Sequence, residues 1–318
     1  MKKAFLIIGI IGLCLLIAGG ATFTAILAKN DWNFNILSNT ELEAKTYSVN
    51  ASEVTAISVD TATMRITYVE TESDQVTVDY YNVSTKKGRV VSEFKIDVQS
   101  GTLRVHEETK PTFFFSNFSS AEVVVKVPVG KEMPITLKSD TGRIVFGEDG
   151  KEIKTLSLTL KTSTGRIEVF SKITCAGKFS AETSTGRIVL GSNVFCADDL
   201  SVQTNTGRIE CKGAIEAKNV TLRASTGRIV VDAPLKTNKL DVTSSTGDVV
   251  ARGPVEANEI EIESSTGDVY LTAKGAREDY TFSYETSTGN SNASSFAAGA
   301  KTIRIETSTG DIELYFKE

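Results

Sequence analysis

The sequence predicts an all-β protein: a single-stack β-solenoid of about nine coils with a strand-rich N-terminal cap, preceded by one transmembrane helix. Three observations carry that reading. An eight-residue phrase recurs, as "TSTGRIEV" from Thr162, "TSTGRIVL" from Thr183, "TNTGRIEC" from Thr204 and "ASTGRIVV" from Ala224. Around each copy, apolar and polar residues alternate at a period of two, the period of a β-strand. An uncharged stretch from Ala4 to Leu27 opens the chain.

That first stretch follows Lys2 and Lys3 and is 24 residues long, or ~36 Å as a helix, enough to cross a bilayer. A cleaved signal peptide has the same basic start, but its apolar region is usually shorter. The best small-residue cleavage sequence here, "GGA" at Gly19 to Ala21, lies inside the apolar run. The "IGL" before Cys14 fits a lipoprotein box poorly. We therefore expect an anchor over residues 1–28, with the basic flank cytoplasmic and all that follows extracytoplasmic. Residues 29–52 lack a clear period and are rich in Asn and Ser, so they read as a linker. From 53 to 128, short β-branched and aromatic runs such as "AISVD", "MRITYVE", "QVTVDYY" and "AEVVVKVP" are separated by polar clusters, the pattern of a strand-rich cap.

The repeat fills residues 129–318. Its glycines are Gly142, Gly165, Gly186, Gly207, Gly227, Gly247, Gly267, Gly289 and Gly310, spaced 20 to 23 residues apart. Such a period is one supersecondary unit per copy. It is too short for tetratricopeptide or ankyrin units, and the Leu and Asn signature of leucine-rich repeats is absent. Seven and five residues before each glycine stand apolar residues, among them Leu158 and Leu160, Leu200 and Val202, Ile303 and Ile305. Two and four residues after it stand Ile167 and Val169, Ile209 and Cys211, Ile312 and Leu314. The inward parity slips by one residue across the Thr-Gly, so the glycine marks a corner between two strands.

The "STGRI" and "STGDV" corners, the lead-in "VVVKVPVGKEMPITLKSDTGRI" and the N-terminal anchor together resemble a known bacterial family. It is the extracytoplasmic "putative adhesin" or toastrack β-solenoid domain, as in Lia-type cell-envelope stress proteins. The resemblance covers roughly Glu53 to Glu318. It implies a cell-surface, non-catalytic role in adhesion or envelope stress.

Three columns bear on function. The paired threonines, such as Thr162 and Thr164, have the spacing of ice-binding ranks, but parity turns the earlier one inward, where its hydroxyl can bond along the stack. Arg143, Arg166, Arg187, Arg208 and Arg228 follow their glycines directly and face outward. Neighbours at the strand spacing would repel by ~0.9 kcal/mol per solvated pair, so something must offset them. Glu168 and Glu210 could do so as a surface ion-pair lattice. Alternatively, the arginines form an anion-binding stripe for an anionic envelope polymer, an anionic lipid or an acidic protein partner. Asp248, Asp268 and Asp311 reverse the sign of the same column, and Lys138 and Lys161 give way to Glu263, Glu285 and Glu306 in another. Cys175 and Cys196 each lie ten residues past a glycine and so should stack on adjacent coils, as buried thiols or as a disulfide.

Enzymatic readings find little support. The only histidine, His106, reads as an exposed strand residue, which argues against a Ser-His or Cys-His pair and a His-rich zinc site. The glycines do not cluster as a phosphate loop or dinucleotide fingerprint, and no cofactor is implied. With 318 residues, 40% of them hydrophobic, and a formal charge of only -5, the chain can bury a sizeable core but is not a nucleic-acid binder by charge. The expected function is a membrane-anchored, extracytoplasmic binding or scaffold module of the bacterial envelope. The alternative is a structural solenoid that polymerises end to end through its oppositely charged halves.

Overall fold

Strand alternation builds each coil as the parity columns require. Leu158, Phe179, Leu200, Val220, Leu240 and Ile260 pair in register on successive parallel strands, and all are buried. Ile144, Ile167, Ile188, Ile209 and Ile229 do the same beyond the corner. A coil has three strands, as in Ser157–Thr164, Ile167–Val169 and Lys172–Cys175, and each pairs with its counterpart in the next coil. Side chains that point into the coil therefore stack on like side chains above and below, and the core is one continuous apolar column. In this computed structural model, which describes residues 40–110 and 121–318, the solenoid has about eight turns rather than nine.

The corners are held by polar contacts that only small residues can make. Thr162, Thr183 and Thr204 are buried, and their hydroxyls donate to the carbonyls of Gly142, Gly165 and Gly186 at 3.1, 3.2 and 3.1 Å. Each hydroxyl thus ties its coil to the preceding corner, a bond worth about 1 kcal/mol net. Ser244 and Thr307 repeat the contact with Gly227 and Gly267. The earlier threonine of each pair thus points inward, in agreement with the parity argument, and the later one is exposed.

Both ends depart from sequential stacking. Near the N-terminus the strands are β1 (Thr40–Asn50), β2 (Ala56–Thr61), β3 (Arg65–Thr71), β4 (Gln75–Thr85), β5 (Val90–Gln99), β6 (Thr102–Thr109) and β7 (Glu122–Pro128). β2 and β3 lie directly on Pro134–Ser139 and Ile144–Phe146, while β6 and β7, which come between them in sequence, form the next coil outward. The outer coil is then covered by antiparallel β5 on β6 and by β4 on β7, with β1 on β4. At the other end, Lys301–Thr309 inserts between Glu259–Thr266 and Tyr280–Thr288. The Gly289 and Gly310 copies are therefore stacked in reverse order. Tyr280–Thr288 becomes the outermost repeat strand, and Phe296 covers it through an antiparallel contact with Phe282. Tyr284, expected inward, is only half-buried because no coil lies beyond it.

Two further expectations change. Residues 40–50, read as linker, form strand β1, an edge strand without a fully buried residue, which explains its weak period. Two short 3-10 turns, Ala51–Glu53 and Arg277–Asp279, occur in a chain expected to lack helix beyond its anchor. The anchor expected over 1–28, and residues 29–39 of the linker, lie outside the described residues. Among the described residues no helix is long and apolar enough to cross a membrane.

Candidate functional site

The residue after each corner glycine lies one step off the inward parity and so projects from the outer surface. Arg143, Arg166, Arg187, Arg208 and Arg228 occupy that position on five successive coils. The pairing of Ile66 with Ile144 places Arg65 in the same column one coil further out. Six arginines at the strand spacing make a stripe ~24 Å long. Arg65 escapes a motif search because Met64 stands where the other corners have glycine. Its carbonyl nevertheless accepts from Thr61 and Ser139 as the glycine carbonyls do. The Arg-Ile of "TMRI" is the signal that could have found it.

Carboxylates offset part of this charge. Arg143 pairs with Glu168, Arg187 and Arg208 both pair with the buried Glu210, Arg65 reaches Glu122 at 3.8 Å, and Arg228 reaches Asp248 at 3.5 Å. Burial opposes ionisation of Glu210, but hydrogen bonds from Arg187 and Arg208 outweigh it and hold the carboxyl below its ordinary range. The lattice is incomplete. Arg166 is exposed and has no ion-pair partner among the described residues, because Glu168, two positions on, turns to Arg143. The Nε atoms of Arg187 and Arg228 are buried without a hydrogen-bond acceptor among the described residues.

The aspartates continue the column in a different way. The Asp248 carboxylate accepts the backbone N–H of Asp268 at 3.2 Å, Asp268 accepts that of Asp311 at 2.9 Å, and Asp311 accepts that of Asn290 at 2.7 Å. Each carboxylate caps the amide of the next corner, a contact suited to a short side chain that carries an acceptor oxygen. On the neighbouring face, Glu263, Glu285 and Glu306 line a shallow groove with Ser245, Ser265 and Ser308. Lys161, nearer the start, pairs with Glu182 at 2.9 Å. The surface is thus basic toward the first coils and acidic toward the last.

Cys175 and Cys196 are register partners on adjacent strands, a spacing a disulfide can bridge. Both are buried free thiols, and the S–H of Cys196 holds the Cys175 thiol below its ordinary value. Cys211 is fully enclosed, and burial pushes its thiol up to about 12, as befits a core residue. His106 is exposed, 3.7 Å from Asp60.

One buried group was not anticipated. Glu70 is half-buried near Tyr68, and burial pushes its carboxyl up to about 7 despite a hydrogen bond from the Gly130 amide. One Glu70 carboxylate oxygen and the Tyr68 hydroxyl are buried without partners among the described residues. The raised value means that the folded protein holds a proton there which the unfolded chain releases nearer its ordinary value. The associated stability is therefore fully present below about pH 4.5 and is lost as pH rises through about 7. Glu70→Gln should raise the melting temperature at pH 8 and leave it unchanged at pH 4. An equal change at both pH values would show that the carboxyl is not desolvated.

Residues 54–315 match the family model described as Toastrack DUF4097. The chain is similar to the solved structure of a "putative adhesin" from Parabacteroides distasonis, with TM-score 0.52 and 15% identity over 86% of this chain and 97% of that one. A "putative adhesin" from Bacteroides fragilis matches with TM-score 0.47 and 15% identity over 86% and 97% of the two chains. A "putative lipid binding protein" from Parabacteroides distasonis matches with TM-score 0.38 and 13% identity over 86% and 96%. No protein of curated function matches the chain.

Proposed function

This chain belongs to the Toastrack DUF4097 family, and on that footing we propose that it is a membrane-anchored, extracytoplasmic, non-enzymatic binding module of the bacterial envelope. It would serve in the envelope-stress setting that the sequence resemblance implies. Its arginine stripe would engage a linear anionic polymer. The observation that carries this reading is the run of arginines from Arg65 to Arg228, incompletely neutralised and only one residue wide. A line of charge suits a chain-like polyanion. A lipid surface would call for a broad basic plane, and the coils that follow the stripe are acidic. Guanidiniums on successive coils can each take an oxyanion in a forked hydrogen bond.

The structural-polymer reading fares less well. End-to-end growth needs an open parallel coil at each end, whereas antiparallel β4 and β5 cover the first coil and Phe296 covers the last repeat strand. Among the described residues the ionisable groups of the repeats run in ladders along the stack rather than converging as an acid and a base, which supports a non-enzymatic role.

Changing Arg166, Arg187 and Arg208 together to Gln should weaken binding of a teichoic-acid-type polymer by roughly tenfold or more, with a flatter salt dependence. The fold should survive with some loss of stability, because these side chains face outward but the buried Glu210 loses both arginines and keeps only Lys212, at 4.0 Å. Undiminished polymer binding by the triple variant would remove the stripe from the function, and a loss confined to anionic liposomes or to an acidic protein would redirect it to those partners.

Anchoring carries its own test. Protease added to intact protoplasts should digest the solenoid and spare the N-terminus. Recovery of a soluble secreted form beginning near Ala21 or Lys29 would overturn it.

A further inference from the structure

The aspartate coils display how this corner column holds an oxyanion. At the boundary between the two runs, one carboxylate touches two coils: Asp248 accepts the backbone N–H of Asp268 on one oxygen, and its other oxygen forms an ion pair, without a hydrogen bond, 3.5 Å from Arg228 Nε. The coil geometry is the same throughout, with Arg166, Arg187, Arg208 and Arg228 standing where Asp248, Asp268 and Asp311 stand later. In the arginine coils, however, the column supplies no carboxylate. The backbone amides of Arg187, Arg208 and Arg228 have no acceptor among the described residues.

On one pair of successive coils an unpaired guanidinium stands beside such an amide. Arg166 brings a guanidinium without an ion-pair partner among the described residues, and the next coil brings the Arg187 amide, which has no acceptor there either. The Arg208 amide is less favourably placed, since the neighbouring guanidiniums of Arg187 and Arg208 are both committed to Glu210.

We propose that Arg166 and Arg187 form a discrete oxyanion slot, built from the Arg166 guanidinium and the Arg187 backbone N–H, that receives one phosphate group of a polyanionic chain. The slot rests on the reading of the stripe as a polyanion site and deepens it by naming the contact. A phosphate matches the donors better than a lone charge would, because its oxygens can meet the amide and the guanidinium at once, as the two Asp248 oxygens do. The polymer then lies along the arginines on either side of the slot. The carboxylates of Asp248, Asp268 and Asp311 occupy the equivalent amides further along and repel its continuation.

The test is an amide-resolved NMR titration of the full-length, detergent-solubilised chain with inorganic phosphate and, separately, with polyphosphate. The Arg187 amide should shift strongly and saturably with both probes, while the Asp268 and Asp311 amides, already capped, stay in place. Arg166→Gln should weaken phosphate binding about tenfold, and Arg223→Gln, which removes the same charge from a neighbouring face, less than about twofold. Arg166→Asp should move the Arg187 amide toward its phosphate-bound position before any ligand is added and abolish its further response. Its fold is secure, since aspartate is the native residue at this position in three other coils. Polyphosphate binding that shifts only arginine side-chain signals and leaves the Arg187 amide unmoved would overturn the slot while sparing the stripe. No response to either probe would overturn both.

Discussion

Ile209→Asp should cost roughly 4 kcal/mol or more, whereas Arg208→Ala, its neighbour on the same corner, should cost less than about 1 kcal/mol. Ile209 is fully buried, in register between Ile188 and Ile229. An aspartate there loses the apolar contacts of the isoleucine and brings a carboxylate into a stack with no partner for it. Since every coil rests on its neighbours, the damage falls in the middle of the column, where no cap can relax around it. Arg208 is half-exposed, and its loss leaves Glu210 still paired with Arg187. Urea unfolding of the two variants measures the difference, and equal losses would mean that the inward and outward parities are wrongly assigned.

Gly227→Ala should be nearly as harmful, at about 3 kcal/mol or more. Gly227 has φ 139°, a backbone conformation that residues with a Cβ rarely adopt. A Cβ would also collide with the carbonyl of Gly207 on the preceding coil. That carbonyl cannot retreat freely, because the Gly207 amide donates to the Thr226 carbonyl at 2.8 Å and the Gly227 amide to the Thr246 carbonyl at 2.7 Å. Gly88→Ala is the control. Gly88 also has positive φ, 77°, but a Cβ there meets nothing within 4 Å, so only the backbone penalty of about 1 kcal/mol applies. Thermal unfolding that ranks the two alike would show that close approach of the corners is not what demands glycine.

The candidate site was only partly legible in the sequence. Its five repeat arginines were found because each follows a Thr-Gly corner, and outward parity follows directly from the inward isoleucine beside it. Arg65 was missed because Met64 replaces the glycine and no regular spacing points to it. Pairing was harder still. The spacing of Glu168 and Glu210 puts them on the arginine face, where the structure has them, yet nothing in it says that Glu168 turns to Arg143 and leaves Arg166 without a carboxylate. The turn of a side chain toward one coil or the other depends on which neighbour is already engaged. The aspartate ladder was likewise read as a reversal of charge, and only the amides of Asp268, Asp311 and Asn290 reveal that it is also a capping device.

By itself, the sequence determined what each coil is: its length, its corners, the two inward columns, the buried threonines and the outward arginines. Those properties depend on strand alternation and on the steric demands of a corner, which act over a few residues and are written into every copy. The tertiary structure alone decided the order in which coils stack. Because every copy presents the same inward columns, Ile303 and Ile305 pack on Ile260 and Ile262 as well as Phe282 and Tyr284 would have done. The choice is made at the ends, where an outermost coil must be covered: Phe296 reaches Phe282 and Phe316 there, and β4 and β5 reach β7 and β6 at the other end. A local repeat carries no information about which of its copies will be last.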